Sequence, residues 1–384
     1  MITTILLFAI ILGLLVFVHE FGHFISAKKL GAKVEEFGFG FPPRMIGVYK
    51  NHEGKAKLVF RKTPTTNNTI YSLNWIPIGG FVRIKGEDGG EKNDPESFSA
   101  KPIWKRAVIL AAGVTMNFVL AIVVMSIGFG IGMPQALNGN LEGANIKDRT
   151  LQVVSVTKES PAALAGIEAG DEIISIDGKE LNFKELQAYA TSKIGQEVDY
   201  GIKRKDNVFD VKAVPAVLKE TGFGGIGVNL VEVGVVSYPW YLALWRGVTE
   251  TLFFTKEVVV AFAMLIKDLF IGRGASVDLS GPIGIAVLTG QVARLGLIYI
   301  LQFTALLSVN LAVVNILPFP ALDGGRIVFL IIEKIRRRPV SQKLEAIIHN
   351  VGFMALMLLV AIVTYRDFIK FGDKFSGLWQ SIIR

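Results

Sequence analysis

Residues 14–29 read LLVFVHEFGHFISAKK, with two histidines four positions apart and a glutamate directly after the first. On a helix His19 and His23 fall on one face, one turn apart, so their imidazoles can share one Zn²⁺. Glu20 then stands beside the ion rather than on it, where its carboxylate can act as a base on the attacking water. The competing reading is a pair of histidines that merely pack between helices. The setting weakens it: residues 2–18 carry no charge, and polar groups left unsatisfied at membrane depth are costly.

Such a site needs a third protein ligand, and that ligand need not be near in sequence. Residues 314–326 read VNILPFPALDGGR. The two prolines break a helix, the glycines permit tight turns, and Asp323 is the one carboxylate there. Depth supports the pairing. A first span running inward puts its histidines toward its cytoplasmic end, and a third span running the same way ends at Asp323. A helix-ending Asp-Gly turn without chemistry is the alternative for Asp323.

The elements that must position these residues follow from composition. The chain has 384 residues, 51% hydrophobic and 19% charged, with a mean hydropathy of +0.47. That implies a polytopic α-helical membrane protein with an added soluble part. No cysteine is present, which excludes disulfides and thiolate metal sites. The N-terminus lacks a basic flank and a small-residue cleavage site, so it reads as a retained span rather than a signal peptide. Four spans are expected, at residues 1–27, 104–133, 295–322 and 347–365. The net charge of +8 is uneven and reports orientation, not nucleic-acid binding. The basic segments 28–103 and 323–346 are expected in the cytoplasm, with both termini, segment 134–294 and the tail 366–384 outside. Residues 240–270 are apolar but interrupted by Arg246, Glu250, Lys256, Glu257, Lys267 and Asp268. They read as an amphipathic helix on the membrane surface rather than a fifth span.

HEFGH in the first span and NILPFPALDGG in the third together resemble the site-2 protease family (peptidase M50B), intramembrane zinc metalloproteases. The bacterial branch that cleaves anti-sigma factors in regulated intramembrane proteolysis is the nearer likeness. FGFGFPPRMIG at 37–47, YSLNWIPIGGFVRIKGED at 71–88, AAGVTMNF at 111–118 and SGPIGI at 280–285 extend the resemblance over nearly the whole chain. It implies that His19, His23 and Asp323 ligate zinc, that Glu20 is the catalytic acid/base, and that Asn315 holds substrate or stabilises the oxyanion. An interhelical hydrogen bond remains the alternative for Asn315.

Segment 28–103 is rich in β-formers, Gly and Pro and reads as hairpins. The family implies a membrane-reentrant sheet there that pairs with extended substrate, with Gly38, Gly40, Gly79 and Gly80 allowing close approach; plain turn chemistry would also explain them. Residues 151–181 resemble the start of one PDZ domain, placed at 134–218, which either binds trimmed ends or excludes bulky ectodomains. Segment 219–294 is expected to hold a strand and amphipathic surface helices. The implied substrates are single-pass membrane proteins already cut by a site-1 protease, of the anti-sigma-factor type or remnant signal peptides. The implied place is the bacterial inner membrane. A noncatalytic adaptor would not need Glu20, and a metal transporter often shows repeated halves, which this chain lacks.

Overall fold

The computed structural model describes residues 2–51, 53–60, 64, 66–137, 141–180, 182–204, 207–217, 224–271 and 280–382. The expected boundary at 218/219, and Leu181 at the end of the PDZ-like stretch, lie outside the described residues. The chain divides into two compact units, Met1–Ser126 with Leu244–Arg384, and Ile127–Ala243.

In the first unit, α1 (Ile2–Lys29) is an uncharged apolar rod up to Val18 and ends on Lys28 and Lys29. Its 28 residues reach about 42 Å, enough to cross a bilayer. A sheet follows, built from β1 (Val34–Lys50), β2 (Ala56–Val59) and β3 (Ile70–Ile84) in the order β2-β1-β3. Both long strands fold over midway. The first half of β1 lies between the two halves of β3: Gly38 faces Ser72 on one side and Phe81 on the other. α2 (Ile103–Ile131) then runs back. It stops two residues short of the expected span end, because Met133 already pairs in a strand of the second unit.

The second unit contains β4 (Met133–Ala136), β5 (Asn145–Val156), α3 (Pro161–Leu164), β6 (Glu172–Ile176), α4 (Phe183–Ser192), β7 (Val198–Arg204), β8 (Asn207–Ala213), β9 (Ala216–Val217), β10 (Gly224–Gly225) and β11 (Val228–Ser237). Six of its strands form one antiparallel sheet, β4-β11-β5-β6-β7-β8. Alternate residues Val198, Tyr200 and Ile202 of β7 are fully buried, and with Ile176 and Val153 they form the core. Both short helices start on good caps. Ser160 accepts the Ala163 N–H with Pro161 next in line, and Asn182 and Glu185 form a reciprocal capping box.

The chain returns to the first unit through α5 (Trp240–Ile271), one continuous helix of 32 residues. α6 (Pro282–Leu295), α7 (Leu297–Ile316), α8 (Asp323–Arg336) and α9 (Gln342–Ile382) complete it. Among the described residues four helices are long and apolar enough to span: Thr3–Lys29, Ile103–Ile131, Leu297–Ile316 and Gln342–Lys370. α5 is not one of them.

α6 packs against α1, α7 and α9. The sequence-based boundaries need three corrections. The third span stops at Ile316, since Pro318 and Pro320 forbid its continuation. Most of the supposed loop 323–346 is the amphipathic helix α8. Gly324 and Gly325 therefore serve helix packing rather than a turn; a Cβ on Gly324 would sit 2.2 Å from the carbonyl oxygens of Ile316 and Leu317. The last helix also runs past the expected span, to Ile382.

Asp171 anchors the second unit. It is 1% exposed and accepts from Arg204 Nε at 2.7 Å, Arg204 Nη2 at 2.8 Å and the Glu168 N–H at 2.9 Å. The Arg204 guanidinium, then the Glu168 amide, hold its carboxyl below the ordinary carboxylate range. Arg204→Ala should destabilise this unit at neutral pH and lower its exchange protection. Because the folded value is depressed, that contribution is complete above about pH 4 and fades as pH falls through the folded value. Hydrogen exchange of β6 and β7 amides in the whole chain reads it. Equal protection of wild type and variant at neutral pH would exclude the anchoring role.

Candidate metal centre

Helical spacing sorts α1 into faces. Phe17, Phe21 and Phe24 share one side, and His19 and His23 lie about 200° away at 100° per residue. The phenylalanines meet the sheet: Phe37 of β1 lies 5.4, 6.1 and 4.5 Å, ring to ring, from Phe17, Phe21 and Phe24. The histidines turn the other way, toward α2 and the start of α8. Glu20 falls between these faces, at the rim of the sheet.

The structure brings His19, His23 and Asp323 together. His19 Nε2 is 3.1 Å and His23 Nε2 3.3 Å from Asp323 Oδ2, and the two Nε2 atoms are 3.2 Å apart. Both rings are buried, at 6% and 5% exposure. His23 Nδ1 donates to the Ile109 carbonyl at 2.8 Å, so its Nε2 lone pair is the one that faces the centre. Asp323 Oδ2 is buried with no hydrogen-bond donor of its own among the described residues. Bare nitrogens and a carboxylate oxygen this close repel one another unless a cation lies between them. Tetrahedral zinc with ligand bonds of about 2.0–2.1 Å separates its donors by about 3.3 Å. The donor types, their spacing and the orphaned oxygen therefore fit zinc. Backbone leaves room for it: a Cβ on Gly113 of α2 would lie 2.4 Å from His23 Nε2.

Asn117 is a residue the sequence reading passed over, although it lies inside the quoted AAGVTMNF stretch. It is fully buried, and its amide lies 3.2 Å from His19 Nδ1. A His19 that offers Nε2 to a metal carries its proton on Nδ1, so the amide must present oxygen there. The oxygen and nitrogen of an amide are exchangeable by a flip, and Asn117 Oδ1 otherwise has no partner among the described residues. Ser308 of α7 donates to the Asn117 carbonyl at 2.8 Å and ties three helices together at this level. A buried Asn on the same side of α2 as Gly113 is the sequence signal, but without the fold its target is invisible.

Asn315 reaches the same place, with Nδ2 3.5 Å from His19 Nε2. Glu20 is not one of the three clustered donors, and its Oε2 accepts the Val82 N–H at 3.1 Å. The four glycines are occupied by packing. Gly38 sits inside the sheet against Phe81, Ser72 and Asn74, and Gly40 lies against Ile76. Gly79 and Gly80 lie against Val16 and Phe17, where they bring β3 close to α1.

A family model described as Peptidase family M50 matches residues 7–359. A zinc metalloprotease of Clostridium perfringens is 35% identical over 358 residues, covering 92% of this chain and 95% of that protein. The zinc metalloprotease RasP of Geobacillus kaustophilus is 30% identical, covering 96% and 98%. The regulator of sigma-W protease RasP of Bacillus subtilis is 28% identical, covering 95% and 98%. The PDZ domain of an SdrC-like protein from Listeria monocytogenes is 32% identical over 21% of this chain and 85% of its own, at a TM-score of 0.20, which is too low to bear on the fold. Matched over residues 7–359, and with a zinc-compatible donor set among its apolar helices, the chain belongs to peptidase family M50, the site-2 proteases, and is a membrane zinc metalloprotease.

Proposed function

We propose that this protease cuts peptide bonds inside transmembrane segments of single-pass proteins already shortened on the outside, with His19, His23 and Asp323 as the zinc ligands. The observation that carries the reading is the joint placement of the donor triangle and Glu20 beside a sheet edge. Glu20 takes the Val82 amide, so the main-chain groups of Val82 face away from β1. By strand alternation those of Gly80 do too. A substrate helix hides its amides in internal hydrogen bonds and must open before it is cut. An edge of this kind accepts the opened segment by strand addition.

When bound, zinc supplies Lewis acidity, which polarises the scissile carbonyl and acidifies the attacking water. Glu20 accepts the proton from that water and returns it to the leaving amine. One of its oxygens is held by Val82, which leaves the other for the proton. Asn315 is the donor for the oxyanion, since its amide already lies within reach of the donor set. Asn117 fixes the His19 tautomer and ring orientation.

The basic loops orient the chain in a bacterial inner membrane, with the termini and the second unit outside. In that unit, among the described residues, β4 pairs with β11 over Val233–Val236, and the Leu137 N–H donates to Glu232 O at 2.7 Å. A PDZ-type cleft lined by Leu186, Ala190, Tyr200, Ile226 and Val228 opens beside β11. It suits either a freshly trimmed end or a size filter. Anti-sigma-factor-like proteins and signal-peptide remnants are the substrate classes this arrangement fits.

Glu20→Gln should keep its zinc and lose cleavage of a single-pass substrate by at least about a hundredfold. Zinc content and product bands measure both, and surviving cleavage would remove Glu20 as the base. Asn117→Ala should weaken zinc about 10–100-fold in a chelator competition. Wild-type affinity would strike it from the zinc site.

A further inference from the structure

Asp323 can meet the imidazoles only if the turn before it is held still. That turn, 317–322, follows the end of α7 and holds two prolines, which have no N–H to donate. The other amides find main-chain acceptors nearby: Leu317 N–H to Val314 O at 3.1 Å, Phe319 N–H to Leu317 O at 2.7 Å, and Leu322 N–H to Phe319 O at 3.2 Å. Ala321 is the exception. Its N–H donates 2.9 Å to His349 Nδ1, on α9. Ala321 also has φ +79°, a left-handed conformation that a residue with a Cβ adopts at a cost.

α9 grips the turn a second time. Gly352 lies one helical turn beyond His349, and a Cβ there would come within 2.3 Å of Pro320 Cβ and 2.7 Å of its carbonyl oxygen. Phe329 of α8 flanks the His349 ring at 5.3 Å. Accepting at Nδ1 puts the ring proton on Nε2, and that atom is buried with no partner among the described residues. A strained alanine and an orphaned ring nitrogen thus sit at one contact, two residues before the carboxylate. Unsatisfied buried groups and strained backbone concentrate where function over-determines the structure.

We propose that His349 is a positioning residue for the metal centre: its Nδ1 captures the Ala321 amide and locks the Pro320–Ala321 turn, so that Asp323 enters the donor triangle. The proposal rests on reading Asp323 as a zinc ligand. His349 touches neither substrate nor metal and acts through the turn. Asparagine carries an acceptor oxygen at nearly the same distance from its backbone as His Nδ1; leucine fills similar space with no acceptor.

The test uses the purified whole chain loaded with Zn²⁺ or Co²⁺. His349→Leu should lower zinc affinity about tenfold in a chelator competition and alter the visible Co²⁺ spectrum, which reports ligand geometry. His349→Asn should restore both. Gly352→Ala, which pushes Pro320 from the same side with His349 intact, should perturb the Co²⁺ spectrum in the same way. Wild-type affinity and spectrum in both His349→Leu and Gly352→Ala would overturn the proposal. So would equal losses in His349→Leu and His349→Asn, since the acceptor would then not matter. Asp323→Ala separates the two levels. If it keeps full zinc, the ligand reading itself fails; if it loses zinc while His349→Leu does not, only the positioning role fails.

Discussion

The rest of the structure depends on three donor atoms held 3.1–3.3 Å apart among apolar helices. Two imidazole nitrogens and a carboxylate oxygen have no reason to converge on their own. Each loses hydration, and their lone pairs repel. The bundle that forces them together is built from small residues and local polar ties. Gly113 lets α2 approach the histidines, and Ser308 fastens α7 to α2 through the Asn117 carbonyl. In an apolar surround, close packing and interhelical hydrogen bonds replace the hydrophobic effect as the means of association. The centre and the bundle are one problem: the helices must pack tightly to make the site, and the cation relieves the repulsion that tight packing creates.

Glu20 links that centre to the sheet. It sits one residue after His19, yet helical geometry turns it about 100° away, toward β3. There it meets the outward amide of Val82 at 3.1 Å. The phenylalanine face of α1 sets this distance, since Phe17, Phe21 and Phe24 seat the sheet against the helix through Phe37. A strand added at that edge would lie beside this carboxylate.

Much of this was legible in the sequence because the relevant signals are periodic or charged. The uncharged run before His19 marks α1, the i, i+4 histidines mark their shared face, and depth bookkeeping reached Asp323 across 300 residues of chain. What escaped depended on tertiary contact. Asn117 has a meaning only once α2 lies beside His19. Gly324 and Gly325 looked like turn formers, because a Gly-Gly pair after two prolines usually is one; only the crowding by the carbonyls of Ile316, Leu317 and Phe319 shows that they begin a helix. The charged interruptions in residues 240–271 could not tell one unbroken helix from several. The four glycines of the β region lie against the protein's own strands and α1.

The start of α8 shows how the fold keeps Asp323 available. As the first residue of a helix, it lies where the unpaired amides and the helix dipole favour a negative charge. Arg326, one turn on, is within the i, i+3 range at which it could pair with Asp323 and take its oxygens. Instead Arg326 pairs with Glu87, from the turn after β3. That pairing satisfies the arginine, joins α8 to the strand that touches Glu20, and leaves Asp323 Oδ2 facing the imidazoles. Further along α8, Glu333 takes both arms of Arg106 at 2.7 and 3.0 Å, which fixes the helix to α2 as well. The two arginines at this end of the bundle, Arg326 and Arg106, thus pair with Glu87 and Glu333 and leave Asp323 to the imidazoles.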